Sequence, residues 1–309
     1  MLPMQPAAPI EPPQPIMPPV FENTTPPSPW DRLRARLAMP GCDYSSAVRR
    51  WTRIFTQGPQ RFAASLQRAL PFLLIVLDEL ERQDLPGEFA LLPYLESTYE
   101  PIATNGNRPA GMWQFVPDTA REAGLVVTRD YDGRLDAYAS AEAAVSLLKR
   151  YQDEFGDWRL VDMAFNAGEY RVKQQLRSQA GELDAASLAK LKLSPITHDH
   201  LAKLLALGCI VAEPERFNVS LPEPSASDYL EPVALGGPID LRVAARLADL
   251  AEPELRRFNA GYRTPRTTTN SPLRLLLPAE AAQRFQQRYA KLAPEQWAAW
   301  QPLVLSAPH

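Results

Sequence analysis

The chain has 309 residues, 45% of them hydrophobic and 22% charged, enough to bury a sizeable core and to divide into roughly two domains, which excludes disorder throughout. Its 33 basic and 36 acidic residues leave a formal net charge of -3 with no basic block, which argues against a nucleic-acid role. His198, His200, His309, Cys42 and Cys209 are too few and too scattered for a zinc or iron–sulfur site, so metal chemistry would have to rest on carboxylates alone.

Residues 1–29 hold 11 of the 32 prolines and two charges, Glu11 and Glu22, and read as a Pro-rich, disordered linker. They lack the basic start and apolar segment of a secretory signal, although a Pro-rich stretch is also what remains after such a signal is removed. The longest apolar runs, Ala69 to Leu77 and Leu204 to Ala212, fall short of the roughly 20 residues of a membrane-spanning helix.

From Trp30 onward apolar residues recur at three- and four-residue intervals: Trp30, Leu33 and Leu37, then Val48, Trp51, Ile54, Phe55, Phe62 and Leu66. Helices are expected at 60–83, 87–98, 117–124, 139–154, 158–164, 168–180 and 198–212, making 30–220 one all-α domain. Cys42 lies in a turn-like Pro40–Asp43 segment and Cys209 in the apolar run. A disulfide between them is feasible only in an oxidising compartment, and two unpaired thiols, with Cys209 in the core, is the alternative. After a linker at 221–228, residues 229–292 read as strand (232–235), helix from Ile239, helix from Glu252, strand (273–277) and a closing helix (279–292). A Trp-containing tail occupies 293–309. The fold class is mainly α with a small C-terminal α+β unit.

Three clusters carry chemistry. Leu85, Phe89, Leu92 and Glu96 would share one helix face, so a carboxylate replaces the apolar residue the pattern calls for, which suits a group that must hold and deliver a proton. The plainer alternative is one more solvated glutamate. Pro109-Ala-Gly-Met112-Trp113-Gln114-Phe115 combines a turn with an aromatic, a thioether and an amide, a set suited to stacking on sugar rings and bonding their substituents. Read plainly, it is a core Trp beside a capping Gln. Ala164-Phe165-Asn166-Ala167-Gly168-Glu169 is by itself a helix–helix corner.

Taken in order, Glu96-Ser97, Gly111-Met-Trp-Gln114 eighteen residues after the glutamate, and Ala164-Phe-Asn-Ala-Gly168 resemble the motifs of the family 1 lytic transglycosylases. The wider resemblance, over about residues 30–290, is to the membrane-bound lytic murein transglycosylase D type. It includes Leu85-Pro-Gly-Glu-Phe-Ala-Leu-Leu-Pro93, Arg129-Asp-Tyr-Asp-Gly-Arg-Leu-Asp136 and the stretch Lys203 to Arg216. The resemblance implies a lysozyme-like (goose-type, SLT) domain over 30–220, with an N-terminal helical extension, and a degenerate LysM-like unit over 229–292. That unit is expected to pack as a structural cap more than to bind glycan by itself.

It further implies a lyase that cleaves the MurNAc-GlcNAc linkage of peptidoglycan without water and without a metal or other cofactor, in the periplasm or cell envelope. Whether cleavage is internal or at chain ends is left open. The expected partners are glycan strands, with room for peripheral association with membrane or cell-wall machinery; the chain is expected to be a monomer and to bind no nucleic acid.

By the same resemblance Glu96 is the only catalytic carboxylate, and Glu100 is no partner to it. Ser97 is a local cap or hydrogen-bond donor, Gln114 and Asn166 position the glycan, and Met112 and Trp113 line the cleft. Asn105 stands where the family commonly has a serine and can contact an acetamido group. Phe165 stands where it usually has a tyrosine whose hydroxyl bonds the catalytic carboxylate. Losing that hydroxyl withdraws support from the ionised glutamate and predicts slower turnover. Tyr170 puts a bulky ring near the cleft mouth. The alternative on the same fold is a catalytically impaired peptidoglycan-binding or scaffold protein; a helical interaction module unrelated to cell wall would need all three motifs to be coincidental.

Overall fold

The computed structural model describes residues 27–104, 109–177 and 183–292. Linker 1–26, the tail from 293 onward and Asn105 therefore lie outside the described residues. Helices α1 (Pro29–Arg34), α2 (Ser46–Phe55) and α3 (Pro59–Gln83) lead into a 3₁₀ turn (Gly87–Leu91) and α4 (Leu92–Ser97). They are followed by α5 (Pro117–Glu122), α6 (Ala137–Phe155), α7 (Trp158–Ala167), α8 (Glu169–Leu176), α9 (Ala185–Ala189) and α10 (Pro195–Ala212).

The order follows from local chemistry. Ser45, Asp136, Asp157, Asp184 and Ser194 each accept a backbone N–H at the start of α2, α6, α7, α9 and α10. Left-handed Asp84, Thr98 and Gly156 end α3, α4 and α6. α10 is buried on nearly all sides from Thr197 to Val211, as a helix without a polar face must be, and it packs against α2, α7, α4 and the 3₁₀ turn. α3 and α6 lie side by side against the same core.

Cys42, in the loop before α2, is disulfide-bonded to Cys209 of α10, which decides between the two readings of these residues and ties the N-terminal helices to the central one. Glu88, 2% exposed, accepts hydrogen bonds from the Ala38 and Met39 amides (3.0 and 2.7 Å) and anchors the loop beyond α1.

In the second unit, β1 (Leu230–Ala234) pairs antiparallel with β2 (Arg274–Pro278), in a register that sets Pro232 opposite Leu276. α11 (Leu241–Ala248) and α12 (Glu252–Phe258) lie between the strands, and α13 (Ala279–Tyr289) follows them. Ile239, Leu241, Leu255, Leu275, Leu277 and Phe285 form its own core. Buried Asn259 donates to the carbonyls of Leu255 and Leu276 and accepts the Leu276 amide (2.9, 2.8 and 2.8 Å), locking the end of α12 to β2.

Segment 129–136 joins the two units. The Asp132 amide donates to Gly261 O (2.8 Å), and the Asp132 carboxylate, fully buried, is bound by Arg134 and Arg263. Burial opposes the charge of Asp132, but the two guanidinium groups hold its carboxyl below the usual range. Asp136 caps α6 through Ala139 N (2.9 Å), accepts the Tyr131 hydroxyl (2.8 Å) and pairs with Arg274 of β2 (2.9 Å). Asp136→Ala removes the cap and leaves two buried donors without their acceptor; we expect a loss of about 2 to 3 kcal/mol, read as a lowered midpoint in urea.

Candidate active site

Glu96 stands in the last turn of α4, a six-residue helix whose Leu92 and Pro93 are buried. The continuous helix expected over 87–98 is split, because residues 87–91 wind as a 3₁₀ turn before Pro93 enters the first turn of α4. Leu85, Phe89 and Leu92 are nevertheless fully buried, and the Glu96 side chain is only 18% exposed. The chain leaves the helix through left-handed Thr98 and Tyr99, so Glu100 is not one turn further along it.

Ser97 Oγ donates to Met112 O (3.0 Å) and accepts the Glu100 amide (3.1 Å). It thus ties the acid's helix to the loop 109–115. That loop is closed by reciprocal Ala110 and Phe115 backbone bonds (both 3.1 Å). Gln114, itself left-handed, donates from Nε2 to Gly111 O (2.8 Å). Gly111 has φ +79°, and a Cβ there would lie 1.8 Å from Arg134 O. Only glycine fits, and the loop rests on the segment that also meets the second unit. Gly111→Ala should cost about 2 to 3 kcal/mol and displace the loop, seen as a lowered Tm and weakened glycan binding in titration calorimetry.

Glu96, Trp113, Gln114, Phe165 and Asn166 line one cleft of about 750 Å³, with Phe115, Tyr151, Tyr170 and Arg171. Glu96 is the only carboxylate among these lining residues. Two of the expected site residues stand apart from the cleft lining, Met112, which is 1% exposed and in the core behind the wall, and Ser97, which bonds the Met112 carbonyl; Asn105 lies outside the described residues. Trp113 touches the cleft but is itself 1% exposed, its ring 6.1 Å from that of Phe165. Asn166 Oδ1 accepts the Thr197 hydroxyl (2.9 Å), so its acceptor is already used by α10. Tyr170 lies 68% exposed at the mouth, just beyond Gly168, whose φ of +92° makes the corner between α7 and α8.

Sequence reasoning missed the group that touches Glu96. His200 Nε2 lies 3.0 Å from Glu96 Oε1, and His200 Nδ1 lies 3.0 Å from Asp162 Oδ1 of α7. Burial alone would depress the imidazole, but the charge of Asp162 and hydrogen bonds to both carboxylates outweigh it and push its pKa up to about 10. At neutral pH the ring is an imidazolium that donates to both acids. Both residues carried a signal: each is a polar side chain in a helix segment otherwise apolar on that face, Leu160-Val161-Asp162-Met163-Ala164 and His200-Leu201 with Leu204 and Val211.

With this geometry in hand, comparisons with known proteins are consistent. The Transglycosylase SLT domain family matches residues 75–187, and the LysM-like domain of the lytic transglycosylase MltD matches 229–294. The membrane-bound lytic murein transglycosylase D of Escherichia coli K12 is 33% identical over 224 residues, 72% of this chain and 50% of that protein. The protein of the same name from E. coli strain CFT073 matches to the same extent. A solved structure, an inactive mutant of the lytic transglycosylase Slt from Pseudomonas aeruginosa, covers 48% of this chain and 24% of its own, with 16% identity and a TM-score of 0.37. The chain spans half the length of the curated relatives it matches. It belongs to the SLT-domain lytic transglycosylases, with a lysozyme-like helical domain followed by a LysM-like unit.

Proposed function

We propose that the protein is a peptidoglycan lytic transglycosylase with Glu96 as its single acid and base. The observation that carries this reading is the cleft itself, about 750 Å³ in volume, edged by aromatic rings and amides, and with one carboxylate among its described lining residues. Ordinary glycosidases divide the work between two carboxylates, one of which serves as nucleophile or activates water. A single carboxyl can still act twice if the nucleophile belongs to the substrate. Glu96 gives its proton to the glycosidic oxygen, the C1–O bond breaks with its electron pair going to that oxygen, and GlcNAc leaves as an alcohol. The C6 hydroxyl of MurNAc then closes onto C1, and its proton returns to Glu96, leaving a 1,6-anhydro end.

Gln114 and Asn166 hold the glycan, with Phe165 and the Trp113 edge against its rings. The LysM-like unit, packed through segment 129–136 onto the loop that carries Gln114, serves as a brace for the cleft. The Cys42–Cys209 disulfide belongs to an oxidising compartment, in keeping with a place in the cell envelope, on the periplasmic side where the glycan lies. Phe165, which brings no hydroxyl to the acid, favours the second reading, a binding protein on the same fold. Purified sacculi separate the two: release of soluble muropeptides supports the enzyme, whereas co-sedimentation with the sacculi and no release supports the binder.

A further inference from the structure

We infer that His200, held by Asp162, is a positioning residue for the catalytic acid, a cationic donor on Glu96 Oε1 that supplies from α10 the hydrogen bond Phe165 cannot give. The inference rests on the reading of Glu96 as the acid.

Three observations converge on it. The three side chains come from three helices, α4, α10 and α7, and form a line, Glu96 to His200 to Asp162, with both contacts at 3.0 Å. Asp162 is fully buried, and its second oxygen has no hydrogen-bond partner among the described residues, so its charge is answered by His200. Phe165 lies at the cleft wall among Trp113 and Phe115, with ring centroids 6.1 and 6.3 Å away, and offers Glu96 no donor.

The other charged groups on or against α10 are engaged elsewhere. Arg50 pairs with Asp199, Lys203 lies over the Trp51 ring, and Glu88 is bound to backbone amides. Arg34 is paired with Asp31, Arg159 with Asp157 and Glu213 with Arg216. Glu96 and Asp162 therefore decide the state of the ring.

An imidazolium on Oε1 does two things. It fixes the carboxyl so that Oε2 is the oxygen left to exchange the proton with substrate. It also takes up the negative charge that appears on Glu96 when the proton leaves, which a neutral donor does less well.

The test compares wild type, Asp162→Asn and the double variant His200→Gln/Asp162→Asn, which keeps an amide donor near Oε1 and leaves no buried charge to unfold the protein. For the double variant we expect kcat on sacculi to fall about 10- to 100-fold, the size of one charge-assisted hydrogen bond, with KM little changed. Imidazole nitrogen NMR gives a readout that does not depend on activity. In the wild type one histidine should stay doubly protonated well above neutral pH, and in Asp162→Asn it should titrate near the ordinary 6.5. An unchanged kcat in the double variant, while Glu96→Gln is inactive, would overturn the inference. So would a His200 that is neutral at pH 7. Activity surviving in Glu96→Gln would instead overturn the reading on which the inference rests.

Discussion

Glu96→Gln is expected to lower the rate of muropeptide release by about 1,000-fold or more while leaving the thermal midpoint close to that of wild type. The rate effect is large because no second carboxylate is among the described residues lining the cleft to take over either proton transfer. Glutamine is nearly isosteric and can stay against His200, but it can neither give a proton to the glycosidic oxygen nor take one from the C6 hydroxyl. The structural effect is small because Glu96 is partly exposed at a helix end and the glutamine oxygen can still accept from His200. Muropeptide release and differential scanning fluorimetry on the same preparations check both halves. Residual activity within tenfold of wild type would place the acid elsewhere.

Loss of the Cys42–Cys209 disulfide should have the largest effect on stability. The two cysteines are 167 residues apart and both are buried, so the bond constrains most of the SLT-containing domain in the unfolded chain. Loop-closure entropy for a ring of that size amounts to about 4 to 5 kcal/mol, a large fraction of the stability of an ordinary domain. Cys42→Ala/Cys209→Ala should therefore unfold at markedly lower urea concentration, with a steeper slope because the freed unfolded chain exposes more surface, and reduced wild type should behave the same way. Equal midpoints for oxidised and reduced protein would show that the bond is either absent in solution or strained enough to cancel its benefit.

Much of this organisation was legible in the sequence because it rests on local signals. The apolar α10 and the strand–helix–helix–strand order of the second unit announce themselves through spacing and punctuation. The three site motifs were legible only in combination, through their resemblance to a family, since each alone also read as ordinary structure. What escaped was non-local. Nothing near Glu96 indicates that its partner lies 104 residues away on another helix, although a histidine and an aspartate on otherwise buried helix faces were visible by the same reasoning that singled out Glu96. Met112 was placed on the cleft wall because it adjoins Trp113, and the structure puts it behind, where Ser97 binds its carbonyl. The helix expected over 87–98 is two windings, and Pro93, which is tolerated only in a first turn, was the sequence signal for the break.

The identity of the glycan ends is the most direct test of the single-carboxylate mechanism. Sacculi digested in water labelled with heavy oxygen, with the products read by mass spectrometry, should yield MurNAc ends one water lighter than a hydrolytic product and free of label. Reducing ends carrying the label would mean that water, and not the C6 hydroxyl, closes the reaction, and would contradict a mechanism in which Glu96 acts alone on both protons.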